Sequence, residues 1–183
     1  MARLAQLAEE SDLSLHIEPV ALNQIVQETV LRFIPRADAL GVDLGVQVLE
    51  SPLSVLANPA LLEGALGNLI DNALRYGRAV AGQLSTVTVT LEVQGPDRTL
   101  SVIDNGSGLS PQQQRDVLQR GARGEQAPRL GQGAGLGLSI VSKFAQVMYA
   151  QFELSPPTQG QGLRASLIFK TGSPAPAARG LAA

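Results

Sequence analysis

The sequence contains no cysteine and no tryptophan, and its 183 residues include one histidine, four phenylalanines and two tyrosines. The absence of cysteine excludes a disulfide framework, a thiolate metal site and a cysteine nucleophile. A single histidine, His16, cannot build a His-rich metal site or a two-histidine relay. The net charge is only −2. Nucleic-acid binders use basic surfaces and aromatic stacking platforms, so we expect no nucleic-acid partner.

Long apolar runs are also missing, because no run reaches the ~18 residues that a membrane-spanning helix needs. Residues 1–10 lack the charged-then-apolar pattern of a signal peptide. The hydrophobic fraction of 44% and the charged fraction of 16% argue against global disorder. We therefore expect a soluble chain that folds in a reducing compartment as one domain with a short appendage.

The hydrophobic pattern predicts helices and strands that do not alternate as in a βαβ fold. Helices are predicted at 22–40 (kinked or interrupted at Pro35), 59–76 (capped by Asn58) and 136–148. Strands are predicted at 42–49, 55–56, 86–93, 100–104, 152–154 and 165–169, with a linker at 11–19 and a loop at 78–85. This order predicts an α+β fold, a two-layer α/β sandwich whose helices cover one face of a mixed sheet.

Glycine, at 19 residues, is the abundant small residue, and six of the 19 fall in two short segments. DNGSGL (104–109) follows a predicted strand, and GQGAGLGL (131–138) precedes a predicted helix. A glycine-rich turn that opens a helix presents free N–H groups and a positive dipole end to an anion. The second segment is therefore a candidate phosphate cradle, and a flexible hinge would explain it equally well.

Three polar residues outside these glycines are candidates for binding. Asp104 ends a predicted strand, where its carboxylate could accept a hydrogen bond from an exocyclic amine, or could simply close an Asx turn. Asn68 and Asn72 are four positions apart on one face of the predicted helix 59–76. Two amide oxygens suit Mg²⁺, which takes its remaining ligands from water and phosphate, although a solvated asparagine pair is the alternative.

The three segments together are more specific than any one of them. NLIDNALRYG (68–77), DNGSGL (104–109) and GAGLGLSIV (133–141) resemble the N, G1 and G2 boxes of the catalytic, ATP-binding domain of bacterial two-component sensor histidine kinases. That domain belongs to the GHKL ATPase superfamily, shared with gyrase and mismatch-repair proteins. The resemblance runs from about Leu22 to Phe169 and implies a Bergerat-type sandwich with a long ATP lid at about 110–132.

The resemblance also implies roles for individual residues. Asn72, assisted by Asn68, would hold Mg²⁺, Arg75 would reach phosphate from a position where relatives often carry lysine, and Tyr76 would pack beside the adenine. Asp104 would bind the adenine amine. The remaining implied ATP-binding residues are Gly106 and Gly108 beside the base, Gly133, Gly135, Leu136 and Gly137 at the phosphate turn, and Arg120 and Arg123 in the lid. An arginine matches the geometry of phosphate oxygens, and the alternative for each of these two is a solvated loop charge.

Two departures from the family pattern accompany the resemblance. Relatives often carry a phenylalanine-rich box before the lid, whereas this chain has VLQRGARG (117–124), with Leu118 and Gly121 at the expected phenylalanine positions. Near the C-terminus, Gly162–Leu163 stands where Gly–Thr is common. The first departure leaves the anchoring of the lid open.

The phospho-acceptor histidine of the family is not expected in this chain. His16 is followed by Ile17, and Pro19 comes only three positions later, in a predicted linker rather than a helix. The expected organisation is the end of a dimerisation-hairpin helix plus a linker at 1–19, the catalytic domain at 20–170 and a disordered tail at 171–183. The implied partners are ATP, the acceptor-histidine domain and a response regulator, and the implied parent is a dimeric, membrane-anchored kinase with this portion in the cytoplasm.

Two other functions stay open on the sequence alone. A non-catalytic nucleotide-sensing or interaction module would have the same fold, and the altered phenylalanine box favours it. A stand-alone serine kinase of the anti-sigma type shares the same boxes. The helical pattern of residues 2–9 and the linker that follows argue against that alternative, because such kinases need no upstream hairpin.

Overall fold

The computed structural model describes residues 16–47, 52–123 and 136–170. In chain order the elements are β1 (Glu18–Ala21), α1 (Leu22–Leu40), β2 (Val42–Gln47), β3 (Ser54–Ala57), α2 (Pro59–Tyr76), β4 (Ser85–Gln94), β5 (Asp97–Asp104), α3 (Pro111–Arg123), α4 (Leu136–Val147), β6 (Gln151–Ser155) and β7 (Arg164–Lys170). Within these residues, no helix has the length and apolar character that crossing a membrane requires.

Five strands form the main sheet in the order β2-β4-β5-β7-β6. The β2–β4 pair is parallel and the other three pairs are antiparallel. Helices α1, α2 and α4 pack against this sheet. The core lies between the two layers, where Val87, Val89, Leu100 and Leu167 of the sheet are fully buried. The predicted α+β, two-layer sandwich with a mixed, mostly antiparallel sheet is confirmed.

Helix α2 spans the predicted residues because both of its ends are encoded locally. Asn58 Oδ1 accepts a hydrogen bond from Leu61 N at 3.0 Å, and Pro59 occupies the first helical position. The inner face of the helix is buried through Leu62, Leu66, Leu69, Ile70 and Ala73. Asn68 and Asn72, which the sequence singled out, lie on the half-buried edge beside this face.

A separate two-stranded antiparallel sheet joins β1 to β3, with Glu18 opposite Ala57 and Ala21 opposite Ser54. The sequence predicts β3 but assigns residues 11–19 to a linker, so the strand at the end of that segment corrects the prediction. Its partner lies far along the chain, and a four-residue strand containing Pro19 has little pattern of its own. The backbone N–H of Leu22 adds a hydrogen bond of 2.7 Å to the carbonyl of Leu53.

The structure bears on two further predictions. Helix α1 has the predicted bounds, and of the kink or interruption expected at Pro35 the interruption is wrong: the helix continues to Leu40, because proline removes only one backbone donor while buried Val30 and Ala37 keep both halves packed. The stretch from Ser110 to Ala134 is rich in glycine, glutamine and arginine, and its sequence suggests a short helix after Pro111; the structure has the 13-residue helix α3 starting at that proline. That helix packs on α4, and Val117 and Leu118 contact the core.

Candidate functional site

Asp104 lies at the end of the central strand β5, where the carboxylate is held by two backbone donors. Its Oδ1 accepts hydrogen bonds from Gly106 N at 2.9 Å and from Leu163 N at 3.2 Å. Its own N–H donates to the carbonyl of Leu163 at 3.0 Å. The bond from Gly106 is the Asx turn that the sequence allowed as an alternative, and neither bond uses Oδ2. The turn and a ligand contact therefore do not compete for the same oxygen.

The Asp104 side chain is buried, with 8% of its residue surface exposed. Burial raises the pKa of this carboxyl above its ordinary value of 3.8. The N–H groups of Gly106 and Leu163 favour the charged form and offset only part of that rise in the pKa. Within the described residues Oδ2 has no hydrogen-bond partner, so this buried carboxylate is suited to accept a hydrogen bond from a donor on a ligand.

Glycines surround Asp104 because no side chain would fit. A Cβ on Gly77 would lie 2.5 Å from Asp104 Cγ and 2.7 Å from the carbonyl oxygen of Ala73. A Cβ on Gly162 would overlap the carbonyl oxygen of Asp104, and Gly162 also has a φ of +133°. From the sequence, Gly77 is only the last residue of NLIDNALRYG, directly after the predicted helix, and Gly162 is only part of a departure from the family pattern. Their contacts with Asp104 arise between distant segments, and no local pattern could reveal them.

A cavity of about 120 Å³ opens beside Asp104. This volume is below the roughly 300–1,000 Å³ of a typical site for a complete small molecule, so it suits a base rather than a whole nucleotide. Its wall is mostly apolar, with Asn72, Tyr76 and Asp104 as the polar side chains. The apolar and glycine positions of the wall are Leu69, Ala73, Gly77, Val102, Gly108, Leu109, Val117, Leu138, Leu163 and Ala165.

Asn72 reaches this cavity from α2 and lies against the start of α4. A Cβ on Gly137 would lie 2.5 Å from Asn72 Nδ2 and 2.8 Å from Oδ1. Nδ2 is buried and has no hydrogen-bond partner in the described part of the chain. An unpaired buried amide is unfavourable in a folded protein, which fits a side chain whose polar contact comes from a ligand.

Asn68 lies one turn before Asn72, and its Nδ2 donates to the carbonyl oxygen of Gly64 at 2.8 Å. That bond orients the amide, and the described residues make no hydrogen bond with its oxygen, which is an acceptor. The described residues contain no cluster of three His, Cys, Asp or Glu side chains that could hold a metal ion. A cation here would be held by neutral amide oxygens and by the ligand's own oxygens, a donor set that Mg²⁺ accepts.

Of the other predicted site residues, Tyr76 lies at the cavity and Arg75 contacts Asp71 instead. Tyr76 lines the cavity and is 43% exposed. Arg75 is directed elsewhere, because its Nε lies 2.9 Å from Asp71 Oδ2. Helix α3 includes positions 120 and 123 in its backbone, and Leu136 begins α4. The side chains of Arg120, Arg123 and Leu136, and all of Gly133 and Gly135, lie outside the described residues.

Asn105 was not singled out from the sequence, although it follows Asp104 directly. Its Oδ1 accepts a hydrogen bond from Thr86 N at 2.8 Å, and its Nδ2 donates to the carbonyl oxygen of Leu84 at 2.9 Å. These bonds tie the turn after β5 to the start of β4. An asparagine before glycine is a common turn signal, and that local signal could have suggested a structural role.

Comparison with known proteins gives one consistent family. Residues 57–172 match the family described as histidine kinase-, DNA gyrase B-, and HSP90-like ATPase. Sensor histidine kinase YcbM of Bacillus subtilis is 30% identical over 146 residues, which cover 79% of this chain and 45% of YcbM. Sensor protein kinase PmrB of Pseudomonas aeruginosa is 30% identical over 165 residues, which cover 88% of this chain and 33% of PmrB. The chain thus spans less than half the length of these curated relatives.

Solved structures agree on the fold. The catalytic domain of histidine kinase ThkA superposes with a TM-score of 0.71 at 18% identity, covering 85% of this chain and 96% of ThkA's. Full-length ShkA, solved in complex with AMPPNP, superposes with a TM-score of 0.66 at 27% identity, covering 87% of this chain and 32% of ShkA's.

Proposed function

Because this chain belongs to the family of histidine kinase-, DNA gyrase B- and HSP90-like ATPases, we propose that it binds ATP with Mg²⁺ and donates the γ-phosphate to a histidine on a separate domain of a sensor kinase. Its relatives are sensor histidine kinases and its fold is that of a histidine kinase catalytic domain. The family membership and the fold support the ATP-binding role, and the proposal adds the acceptor histidine and the transfer step to it.

The observation that carries the proposal is the convergence of Asp104 and Asn72 on one cavity. Asp104 ends a strand in the middle of the sheet, and Asn72 comes from the helix layer above it. One offers an acceptor oxygen beside an apolar, base-sized space, and the other has a buried amide nitrogen that no described residue contacts by a hydrogen bond. A ligand with an amino-substituted flat base and an anionic chain satisfies both groups.

The base end of the ligand would lie beside β5. Asp104 Oδ2 would accept the hydrogen bond from the adenine amine, while the two backbone donors on Oδ1 fix the carboxylate plane. Gly106 and Gly108 would let the backbone pass close to the base. Tyr76 and the apolar wall of the cavity would cover the faces of the ring and exclude water.

The phosphate end would lie toward α4. Asn72 and Asn68 would hold Mg²⁺, which when bound neutralises charge on the phosphate oxygens. Gly133, Gly135, Leu136 and Gly137 would form the phosphate turn at the helix N-terminus, where backbone N–H groups face an anion. Residues 110–132 would serve as the lid, and Arg120 and Arg123 would reach phosphate from it.

Transfer would depend on positioning and charge stabilisation, as in other phosphoryl transfers. The acceptor would lie on a dimerisation domain of the longer parent protein, since His16 lies in a non-helical segment before β1. The parent would be a membrane-anchored dimer that passes the phosphate on to a response regulator. The present domain would work in the cytoplasm, where ATP is available.

Titration with ATP tests the proposal directly. Wild-type chain is titrated with ATP in the presence and absence of Mg²⁺ by calorimetry, beside Asn72→Ala and Asn68→Ala. We expect Mg²⁺-dependent binding that Asn72→Ala weakens by at least about tenfold, because the amide ligand is lost. Absence of any Mg²⁺-dependent binding by wild type would instead favour a non-catalytic interaction module of the same fold.

A second measurement addresses the transfer. The chain is incubated with ATP alone, and then with a fragment that carries the acceptor histidine of the parent kinase. Phosphohistidine is expected on the added fragment and not on the chain itself. Acid-labile phosphate on His16, or phosphoserine on any added protein, would contradict the proposed acceptor.

A further inference from the structure

Asp71 lies between two arginines from different helices. Arg75 Nε, one turn further along α2, lies 2.9 Å from Asp71 Oδ2. Arg36 Nη1, from α1, forms an ion pair with Asp71 Oδ1. The Asp71 side chain is 25% exposed, while those of Arg75 and Arg36 are 50% and 41% exposed. The carboxylate is thus the most buried of the three groups, and the two more exposed guanidinium groups contact it from α1 and from the next turn of α2.

The Asp71 cluster lies on a different side of α2 from the Asn72 amide. Asp71 meets Arg36 of α1, whereas its neighbour Asn72 meets Gly137 of α4. The two side chains therefore leave α2 toward opposite neighbours. Asp71 draws the Arg75 guanidinium toward α1 and away from the side where Asn72 lines the cavity.

We propose that Asp71 and Arg36 are positioning residues that hold Arg75 away from the nucleotide and release it to a phosphate group. This inference rests on the proposed function, because it requires a ligand with a phosphate chain beside Asn72. Arg75 then has two alternative partners, the Asp71 carboxylate without ligand and a phosphate oxygen with ligand. The balance between them sets how much Arg75 contributes to binding.

The strengths of the contacts allow this exchange. A half-exposed ion pair between residues i and i+4 of a helix is weak, because water screens it and two long side chains must be ordered. A contact between a guanidinium and a phosphate is charge-assisted and can be bidentate, so it is stronger. Once the nucleotide is bound, Arg75 therefore contacts the phosphate in preference to Asp71.

Arg36 makes the release less unfavourable. A partly buried carboxylate that loses its only cation is destabilised, because its charge is left uncompensated. Asp71 keeps Arg36 when Arg75 leaves, so its charge stays paired in both states. Without Arg36, Asp71 would hold Arg75 more tightly and oppose its transfer.

These contacts predict opposite signs for two substitutions. Asp71→Asn frees Arg75 and raises the affinity for ATP about twofold, and Arg36→Gln lowers it about twofold, as expected for half-exposed ion pairs. Adenosine, which has no phosphate, binds with unchanged affinity in both variants. A merely structural role of Asp71 would lower the affinity for ATP and for adenosine together.

The closing experiment measures the ratio of the ATP affinity to the adenosine affinity for each variant of the 183-residue chain. Arg32→Gln is the matched control, because Arg32 forms the other α1–α2 ion pair, with Glu63, and does not contact Asp71. Its ratio should equal that of wild type. In an Arg75→Gln background, neither Asp71→Asn nor Arg36→Gln should change the ratio.

The outcomes separate this inference from the proposed function. If wild type binds ATP but the ratio does not rise with Asp71→Asn or fall with Arg36→Gln, the inference is wrong while the proposed function stands. If Asp71→Asn does not fold, two other measurements decide. Arg36→Gln must lower the ratio of ATP affinity to adenosine affinity, and this decrease must disappear in the Arg75→Gln background. If wild type binds neither ATP nor adenosine, the proposed function fails and the inference falls with it.

Discussion

Gly137 lies against the amide of Asn72 so closely that a Cβ on the glycine would be 2.5 Å from Nδ2 and 3.0 Å from Cγ. The first turn of α4 therefore fixes where the Asn72 amide can be, although the two residues come from separate sequence motifs. This contact joins the proposed metal ligand to the proposed phosphate turn. A substitution at Gly137 can therefore displace the Asn72 amide without changing Asn72 itself.

Gly137→Ala should therefore weaken Mg²⁺-dependent ATP binding by about tenfold or more, because the Asn72 amide must move. The same substitution favours helix formation in α4, so the melting temperature should not fall by more than a few degrees. Calorimetry and thermal unfolding measure the two effects. Gly45→Ala is the control, since a Cβ there meets nothing within 4 Å. Equal ATP affinity in Gly137→Ala and wild type would contradict the contact.

Asp104→Asn should stabilise the ligand-free protein at pH 7 and abolish recognition of the base. Burial raises the pKa of Asp104 above 3.8, so the folded state binds the proton more tightly than the unfolded state. The free energy of unfolding contributed by this group therefore falls as pH rises from about 3.8 through the raised pKa. Asparagine is uncharged and avoids that loss.

Thermal unfolding between pH 3 and pH 8 checks this prediction for Asp104→Asn and wild type. The melting temperature of the variant should exceed that of wild type at pH 7, and the difference should shrink as the pH falls toward 3.8 and below. A difference that does not depend on pH would show that ionisation of Asp104 does not cause it.

Tyr149→Gly should stabilise the protein by about 1 kcal/mol, because Tyr149 adopts a φ of +55° in the left-handed region at the end of α4. The side chain is 51% exposed, so little buried contact is lost. Chemical denaturation measures the gain. Tyr149→Ala serves as the control, since alanine keeps the unfavourable φ and should give no comparable gain.

Two glycines within α2 provide a matched pair. A Cβ on Gly67 would make ordinary contacts with the Phe33 ring, the nearest at 3.7 Å, whereas one on Gly64 would lie 3.0 Å from Phe144 Cε2. Gly67→Ala should therefore stabilise by up to about 1 kcal/mol through helix propensity. Gly64→Ala should gain less or lose stability, since the Phe144 ring must shift. Equal denaturation midpoints for the two variants would contradict this difference.

Local signals in the sequence were sufficient for much of the fold. The bounds of α2 follow from Asn58, Pro59 and Gly77, and the alternation of threonine and valine defines most of β4. Strand β1 was not predicted, because its pairing partner Ala57 lies far from Glu18 in sequence. The start of helix α3 at Pro111 agrees with the short helix that the sequence suggests there, but its 13-residue length could not be predicted, because PQQQRDVLQRGAR has only Val117 and Leu118 as apolar contacts to the core.

The candidate site shows the same division. The sequence motifs identify Asn72, Tyr76 and Asp104, and the structure brings all three to one cavity. The position of Arg75 could not be predicted from its motif, because it depends on Asp71 and on Arg36 in another helix. Leu163 stood out in the sequence only as a departure, yet its backbone makes two hydrogen bonds with Asp104.

The small sheet of β1 and β3 has a consequence for the position of α2. Glu18 is paired with Ala57, which directly precedes the N-cap of α2. The β1–β3 hydrogen bonds therefore connect the backbone before α1 to the residue that precedes the helix carrying Asn68 and Asn72. This connection is independent of the five-stranded sheet, so the start of α2 is positioned by the segment before α1 as well as by the core.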